Sequence, residues 1–248
     1  MSSEDLEWRV EALCVAARPA LHREIVDGWA MGRSGGRMRQ ANCVNPLRGP
    51  RGDAVAAIER GERFYDASGQ TPLFRVPTIA DEMDAGLDRR DYGVEGHTTT
   101  LFKPLEQAVV ADAGTVLHPA PSEDWLAVRQ RTSGEAPADH AAYAAMVRAV
   151  ALPKAFATTY ADDTAASVAY GVVADGLLAI EGVATDTGFR GRGLARKTLH
   201  ALIAWAKGAG ARAACLQVQM DNAPARSLYA SLGFGRELYR YHYRRRPA

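Results

Sequence analysis

The chain has 248 residues, 47% of them hydrophobic and 24% charged, and its 30 basic and 29 acidic side chains leave a formal charge of +1. Such a chain has ample apolar material for two smaller domains or one large one, so disorder is excluded as the default. A charge this close to neutral supplies no global field toward nucleic acid or a membrane surface.

Cys14, Cys43 and Cys215 are few and far apart. They fit reduced thiols in the cytoplasm better than a disulfide framework or a zinc site. The start, MSSEDLEWRV, lacks the charged and apolar regions of a secretory signal. No apolar run approaches the roughly 20 residues of a membrane span. The expectation is a soluble, cytoplasmic protein without a membrane partner.

Leu6, Val10, Leu13 and Ala17 recur at helical spacing before Pro19, so residues 4–18 read as an amphipathic helix. Two extended segments then flank Ser34-Gly35-Gly36 and suggest a hairpin. Asp53 can cap a helix through Val55, Ile58 and Phe64 that Ser68-Gly69 ends. PLFRVP reads as a strand, Thr78 opens a helix to about Arg90, and GHTTTLFKPL reads as another strand. Residues 105–121 form a connection with one strand, Thr115 to Leu117, and divide a first domain (1–104) from a second (122–248).

The second domain opens with a helix from Pro121-Ser122 and an Ala-rich helix capped by Asp139 and closed by Pro153. Three strands follow, AFATTY, ASVAYGVVADG and GLLAIEGVATD, the last two joined by the turn Asp175-Gly176. The chain then passes through GFRGRGLA into a helix with Leu199, Leu202, Ile203 and Ala206 on one face. AACLQVQM is a strand, NAPARSLYASLG a short helix and GRELYRYHYRR a strand. The first domain has a similar element order, with Tyr92-Gly93-Val94 falling where Leu232-Gly233-Phe234 falls.

The chemistry concentrates in EGVATDTGFRGRGLA, Glu181 to Ala195. A strand that turns through glycine into a helix presents unpaired N–H groups and the positive end of a dipole to an anion. Arg190, Arg192 and Arg196 add charge, although alone the turn fits a solvated loop equally well. A Walker loop needs glycine directly before Lys197-Thr198, and a dinucleotide fingerprint needs its third glycine there; Arg196 occupies that place in both tests. Downstream, Asn222, Ala225, Tyr229, Gly233 and Phe234 stand in the pattern N-x-x-A-x-x-x-Y-x-x-x-G-F.

With these residues and this element order, about residues 122–246 resemble the GNAT superfamily of acyl-CoA N-acyltransferases. The resemblance implies an α/β fold with a mixed, mostly antiparallel central sheet flanked by helices. It implies acetyl-CoA as co-substrate, no metal, and an amine as acceptor. Val183, Ala184 and Thr185 match the strand that pairs with the pantetheine arm, and Arg190, Gly191, Arg192, Gly193, Leu194 and Ala195 match the pyrophosphate turn. Asn222 and Ala225 match cofactor-lining positions, and Tyr229 matches the residue that protonates the departing sulfur. A Tyr hydroxyl, with a reference pKa of about 10, carries that proton at neutral pH; the plainer reading of Tyr229 is packing.

Glu181 is the candidate base. Period-2 alternation sets it on the same side as Val183 and Thr185, and the alternative is a salt-bridged strand Glu. The histidines show no metal spacing. The row Tyr239, Tyr241, Tyr243 with its arginines admits an aromatic and basic nucleic-acid surface, but a terminal strand with one packed face accounts for it more simply.

The first half lacks both motifs. Its DGW (Asp27 to Trp29) and RQANCVNPL (Arg39 to Leu47) resemble, more loosely, a degenerate GNAT-like half attached to some bacterial members, so two tandem GNAT-like domains are expected. The expected function is N-acetyl transfer to a primary amine, of a small molecule or a protein, by a monomer or homodimer with no nucleic-acid partner. An acyl-CoA-binding regulatory module without transfer is the alternative.

Overall fold

The computed structural model describes residues 2–106 and 114–247. Part of the expected connection, 107–113, therefore lies outside the described residues.

Helix α1 (Ser3–Ala16) starts where Ser2 accepts the Asp5 N–H, and it buries Leu6, Val10 and Leu13. The first extended segment is itself a hairpin: β1 (His22–Val26) and β2 (Trp29–Arg33) turn at Asp27 and Gly28, both left-handed. β3 (Val44–Pro46) pairs antiparallel with β2. Asp53 caps α2 (Ala54–Asp66), and β4 (Leu73–Pro77) follows. The helix expected from Thr78 shrinks to α3 (Asp84–Asp88), because Thr78 is held by the sheet. Its N–H donates to the Arg240 carbonyl at 2.9 Å and its hydroxyl accepts the Arg240 N–H at 3.2 Å. β5 (Gly93–Pro104) completes this half.

β6 (Thr115–His118) joins the sheet of the second half by pairing antiparallel with β7 (Lys154–Ala161). Between them come α4 (Glu123–Ser133), capped by Ser122, and α5 (Pro137–Arg148). Asp139 is not the cap of α5: Pro137 opens the helix from Ala136, which leaves Asp139 in its first turn. Then follow β8 (Thr164–Ala174), β9 (Leu177–Thr185), α6 (Leu194–Gly208), β10 (Ala213–Gln219), α7 (Ala223–Ser231) and β11 (Arg236–Arg245).

The strands among the described residues form one 11-stranded sheet in the order β1-β2-β3-β4-β11-β5-β10-β9-β8-β7-β6. The pairs β3–β4 and β9–β10 are parallel, and every other described pair is antiparallel. Outward from the β11–β5 contact the pattern is the same in both directions. Each half ends by giving its last strand to the other: β11 lies beside β4, and β5 beside β10. The fold is thus the expected mostly antiparallel α/β tandem, with its terminal strands exchanged.

The internal echo is real, in a corrected register. After α3 the Tyr92 N–H reaches the Leu87 carbonyl, and after α7 the Phe234 N–H reaches the Tyr229 carbonyl, each past a left-handed residue, Asp91 or Gly233. Tyr92 therefore corresponds to Phe234, not Leu232, and Leu87 stands where Tyr229 stands.

The core on the α1, α4 and α5 side of the sheet holds Trp125, Tyr143, Phe156 and Tyr170 together with Tyr239, Tyr241 and Tyr243. On the other side Leu199, Leu202 and Ile203 of α6, Tyr229 of α7 and Phe234 just after α7 pack together. The C-terminal tyrosines are buried rather than presented for stacking, and Arg244, Arg245 and Arg246 pair with Asp84, Glu95 and Asp66. No helix of the described residues is long and apolar enough to cross a membrane.

Candidate active site

The turn after β9 is built to leave donors free. Asp186 accepts the Gly188 N–H and is held by Arg131 at 3.0 Å, so the chain leaves the strand in a fixed direction. Gly191 and Gly193 both take left-handed backbone, φ 75° and 74°, and a Cβ on either would meet nothing within 4 Å. Glycine is thus required by conformation while the space beside it stays open. Gly193 is the N-cap of α6, no side chain caps that helix, and its first turn holds no acid. The start of α6 therefore offers uncompensated N–H groups and a positive dipole end. Arg190, Gly191, Arg192 and Gly193 are exposed around it, whereas Leu194 is buried against Ala161 and Ala166.

A ladder of hydroxyls fixes this helix start against the strands. Thr185 bonds Ser167 at 2.9 Å, Thr198 donates to Ser167 at 3.1 Å and to the Leu194 carbonyl at 3.0 Å, and Thr159 bonds Thr198 at 2.6 Å. Among the described residues the first half has no equivalent platform. The start of its α2 is filled by the Asp53 carboxylate, which accepts the Ala56 N–H at 2.8 Å and opposes a second anion.

Strand β9 pairs with β10 only over Leu177–Ile180. Beyond Ile180 the two strands part, so Ala184 and Thr185 pair with β8 on one side and have no β10 partner on the other. Just past the last pair lies Gly182, left-handed at φ 62°, where the β8 register shifts between Val168 and Tyr170. This bulge corrects the alternation argument for Glu181. Val183 packs with the α6 and α7 core, while Glu181 turns to the opposite face beside Arg18. Period 2 fails because one extra residue is inserted.

Glu181 is 5% exposed, and its Oε2 accepts from Arg18 Nη1 at 2.7 Å. Its Oε1 is buried without a protein hydrogen bond. Burial raises the Glu181 pKa above the ordinary carboxylate value, against the opposing pull of Arg18 and Arg75. Arg18 also donates to Gln217 on β10. Gln217 in turn accepts from the Tyr241 hydroxyl at 3.1 Å, and the Tyr239 hydroxyl donates to Glu11 at 2.6 Å, itself paired with Arg75. A buried polar network thus joins α1 and both halves to Glu181.

Tyr229 is buried on α7 in edge contact with Phe234, 6.2 Å between ring centroids. Burial first, and the charge of Glu181 second, push its pKa up, so its hydroxyl holds its proton across neutral pH. Asn222 is exposed, and its Oδ1 caps α7 by accepting the Ala225 N–H at 3.2 Å. Asn222 and Ala225 therefore act together at the start of the helix that carries Tyr229. Cys215 is buried in β10, and no group of acids, His and Cys among the described residues could hold a metal.

Arg18, Gln217, Glu11 and Arg75 escaped the sequence reading. Arg18 lies 163 residues from Glu181, and nothing local marks it. The one available signal is that Glu11 and Arg18 share a helical spacing beside the apolar stripe of α1.

The chain matches the family model described as "Probable histone acetyltransferase Rv0428c C-terminal" over residues 8–246. It is 25% identical over 243 residues to the uncharacterized N-acetyltransferase YobR of Bacillus subtilis (strain 168), covering 95% of this chain and 97% of that protein. Among solved structures it resembles a GCN5-related N-acetyltransferase from Kribbella flavida, with a TM-score of 0.67, 14% identity and 99% and 96% of the two chains covered. It also resembles a tandem GNAT protein from the clavulanic acid biosynthesis pathway, with a TM-score of 0.60, 13% identity and 100% and 98% covered.

Proposed function

The chain belongs to the Rv0428c C-terminal acetyltransferase family, a GNAT-type acyltransferase, and we propose that it moves an acetyl group from acetyl-CoA to a primary amine by direct attack in a ternary complex. The observation that carries this reading is the parting of β9 from β10 beside the uncapped start of α6. A thioester arm fits the first feature and a pyrophosphate the second.

Main-chain N–H groups from Gly191 to Ala195 receive the pyrophosphate, with Arg190 and Arg192 adding charge. Val183 to Thr185 supply backbone partners to the pantetheine arm and aim an N–H at the thioester carbonyl. Asn222 and Ala225 hold the start of α7 against the cofactor. Tyr229, protonated at neutral pH, gives its proton to the departing sulfur. Glu181 takes the proton of the incoming ammonium through water, at the oxygen that has no protein partner. The first half, residues 1–104, binds no CoA and closes the acceptor side through Arg18.

The test follows thiol release from acetyl-CoA across a panel of amines, with acetyl-CoA affinity measured in parallel. Tyr229→Phe is expected to lower kcat by about 10²-fold or more while affinity for acetyl-CoA stays within about twofold. Unchanged turnover removes the acid role from Tyr229. Tight acetyl-CoA binding with no turnover on any amine supports a regulatory module instead.

A further inference from the structure

A cavity of ≈ 810 Å³ opens between the two halves at the C-terminal end of β10. Arg39 and His97 reach it from the first half, and Asp221, Arg240, Tyr241 and His242 from the second. It lies at the end of the sheet where β10 has left β9, since Gln217 to Gln219 come after the last pair, Ile180 with Leu216. Glu181 does not line it, but a chain of hydrogen bonds leads there from its wall: Tyr241 donates to Gln217, which accepts from Arg18, which holds Glu181.

The charges of the wall are unequal. Among the described lining residues Asp221 is the one carboxylate, against the two guanidiniums of Arg39 and Arg240. Arg39 is seated by Gly96, where a Cβ would come within 2.6 Å of its Nη1, and its guanidinium lies 5.0 Å from the Tyr243 ring centroid. Its partner Glu95, 3.3 Å away, already accepts two bonds from Arg245 at 2.9 and 3.0 Å, so one carboxylate serves two cations. Arg240 pairs with Glu237 and His242 with Asp84, and neither acid lines the cavity. The two guanidiniums border the space, while their partners Glu95 and Glu237 do not line it. Such a wall repels a lysine-rich segment and attracts an oxyanion. The volume falls in the range of about 300–1,000 Å³ typical of small-molecule sites.

We propose that this cavity holds the acceptor, and that the acceptor is a small amine carrying a carboxylate or phosphate group, bound by Arg39 and Arg240 with its amine toward Glu181. The proposal rests on the reading of the chain as an amine acetyltransferase.

The full chain is assayed for thiol release from acetyl-CoA with matched amines: amino acids against their amides, phosphoethanolamine against ethanolamine, and a lysine-rich peptide. Melting temperature with each compound, acetyl-CoA present, is read in parallel. The expected result is that acids exceed their neutral partners by about tenfold or more in kcat/KM, and that Arg39→Ala and Arg240→Ala raise KM for acids far more than for amides. Preference for amino acids or for phosphoethanolamine identifies the oxyanion. Arg240, on an exposed pair, gives a variant whose folding is not at stake. Amides or the lysine-rich peptide turned over as well as the acids would overturn the proposal, as would variants that affect acids and amides alike. No turnover, together with a melting-temperature rise from acids that Arg39→Ala abolishes, removes the transferase reading and keeps the site; no turnover and no rise removes the site.

Discussion

At the scale of single residues the controlling fact is that Glu181 is buried with a permanent cation. A carboxylate taken out of water protonates more readily, and Arg18, whose own pKa is raised, limits that rise. Removing Arg18 therefore pushes the Glu181 pKa further up. Activity that needs the carboxylate should lose its acid limb at higher pH in Arg18→Met than in the parent, with Arg18→Lys intermediate. A pH–rate profile reads this, and an unmoved limb refutes the link. Stability gives a second reading. A raised folded-state pKa means that the native state binds more protons than the unfolded chain above the ordinary Glu value, so stability falls as pH rises through that window. Arg18→Met extends the window upward and leaves a buried charge unpaired, a loss of about 3–5 kcal/mol at high pH. Urea melts at pH 5 and pH 8 should separate variant from parent more at pH 8.

At the scale of elements, Gly182 sets the geometry on which the two faces of β9 depend. Its φ is 62°, and a Cβ there would come within 2.9 Å of the Tyr143 hydroxyl and 3.1 Å of the Tyr170 ring. Gly182→Ala is expected to cost at least about 1–2 kcal/mol from backbone strain alone. It should also lower kcat/KM by misaiming Val183, while Gly188→Ala, which meets nothing within 4 Å, should do neither. Denaturant midpoints and thiol-release kinetics on the two variants check this. The same strand marks the limit of what was legible from sequence. The turn from Arg190 to Ala195 is a local device whose glycines, arginines and helix start are contiguous, so it could be read directly. The bulge was not legible, because one glycine in an apolar strand does not announce an inserted residue, and period 2 then misassigned the face of Glu181. Arg18 was illegible for another reason: its partner is distant in sequence, and a charged residue after a helix ordinarily meets water.

At the scale of the whole molecule, the exchange of β5 and β11 makes the two halves one folding unit. Alternation along GHTTTLFKPL says which side chains face a core, but it cannot say which strand will lie alongside, and here the neighbours belong to the other half. Cutting the chain between 106 and 114 leaves every described strand pair intact, yet separating the pieces would strip β10 of β5 and β4 of β11 and break the ion pair of Arg18 with Glu181 and the hydrogen bond from Tyr239 to Glu11. A chain carrying a protease site in that interval is therefore expected to elute after cleavage at the size of the intact protein and to unfold in one transition. Trp8 and Trp29 report on the first half and Trp125 and Trp205 on the second, so fluorescence and far-ultraviolet dichroism should give coincident midpoints. Released fragments that stay folded and soluble would contradict the exchange, because each would present long unpaired strand edges that isolated domains normally cover. The second piece alone should in addition lose acetyl transfer, since it retains Tyr229 and the α6 turn but has neither Arg18 beside Glu181 nor Arg39 in the cavity wall.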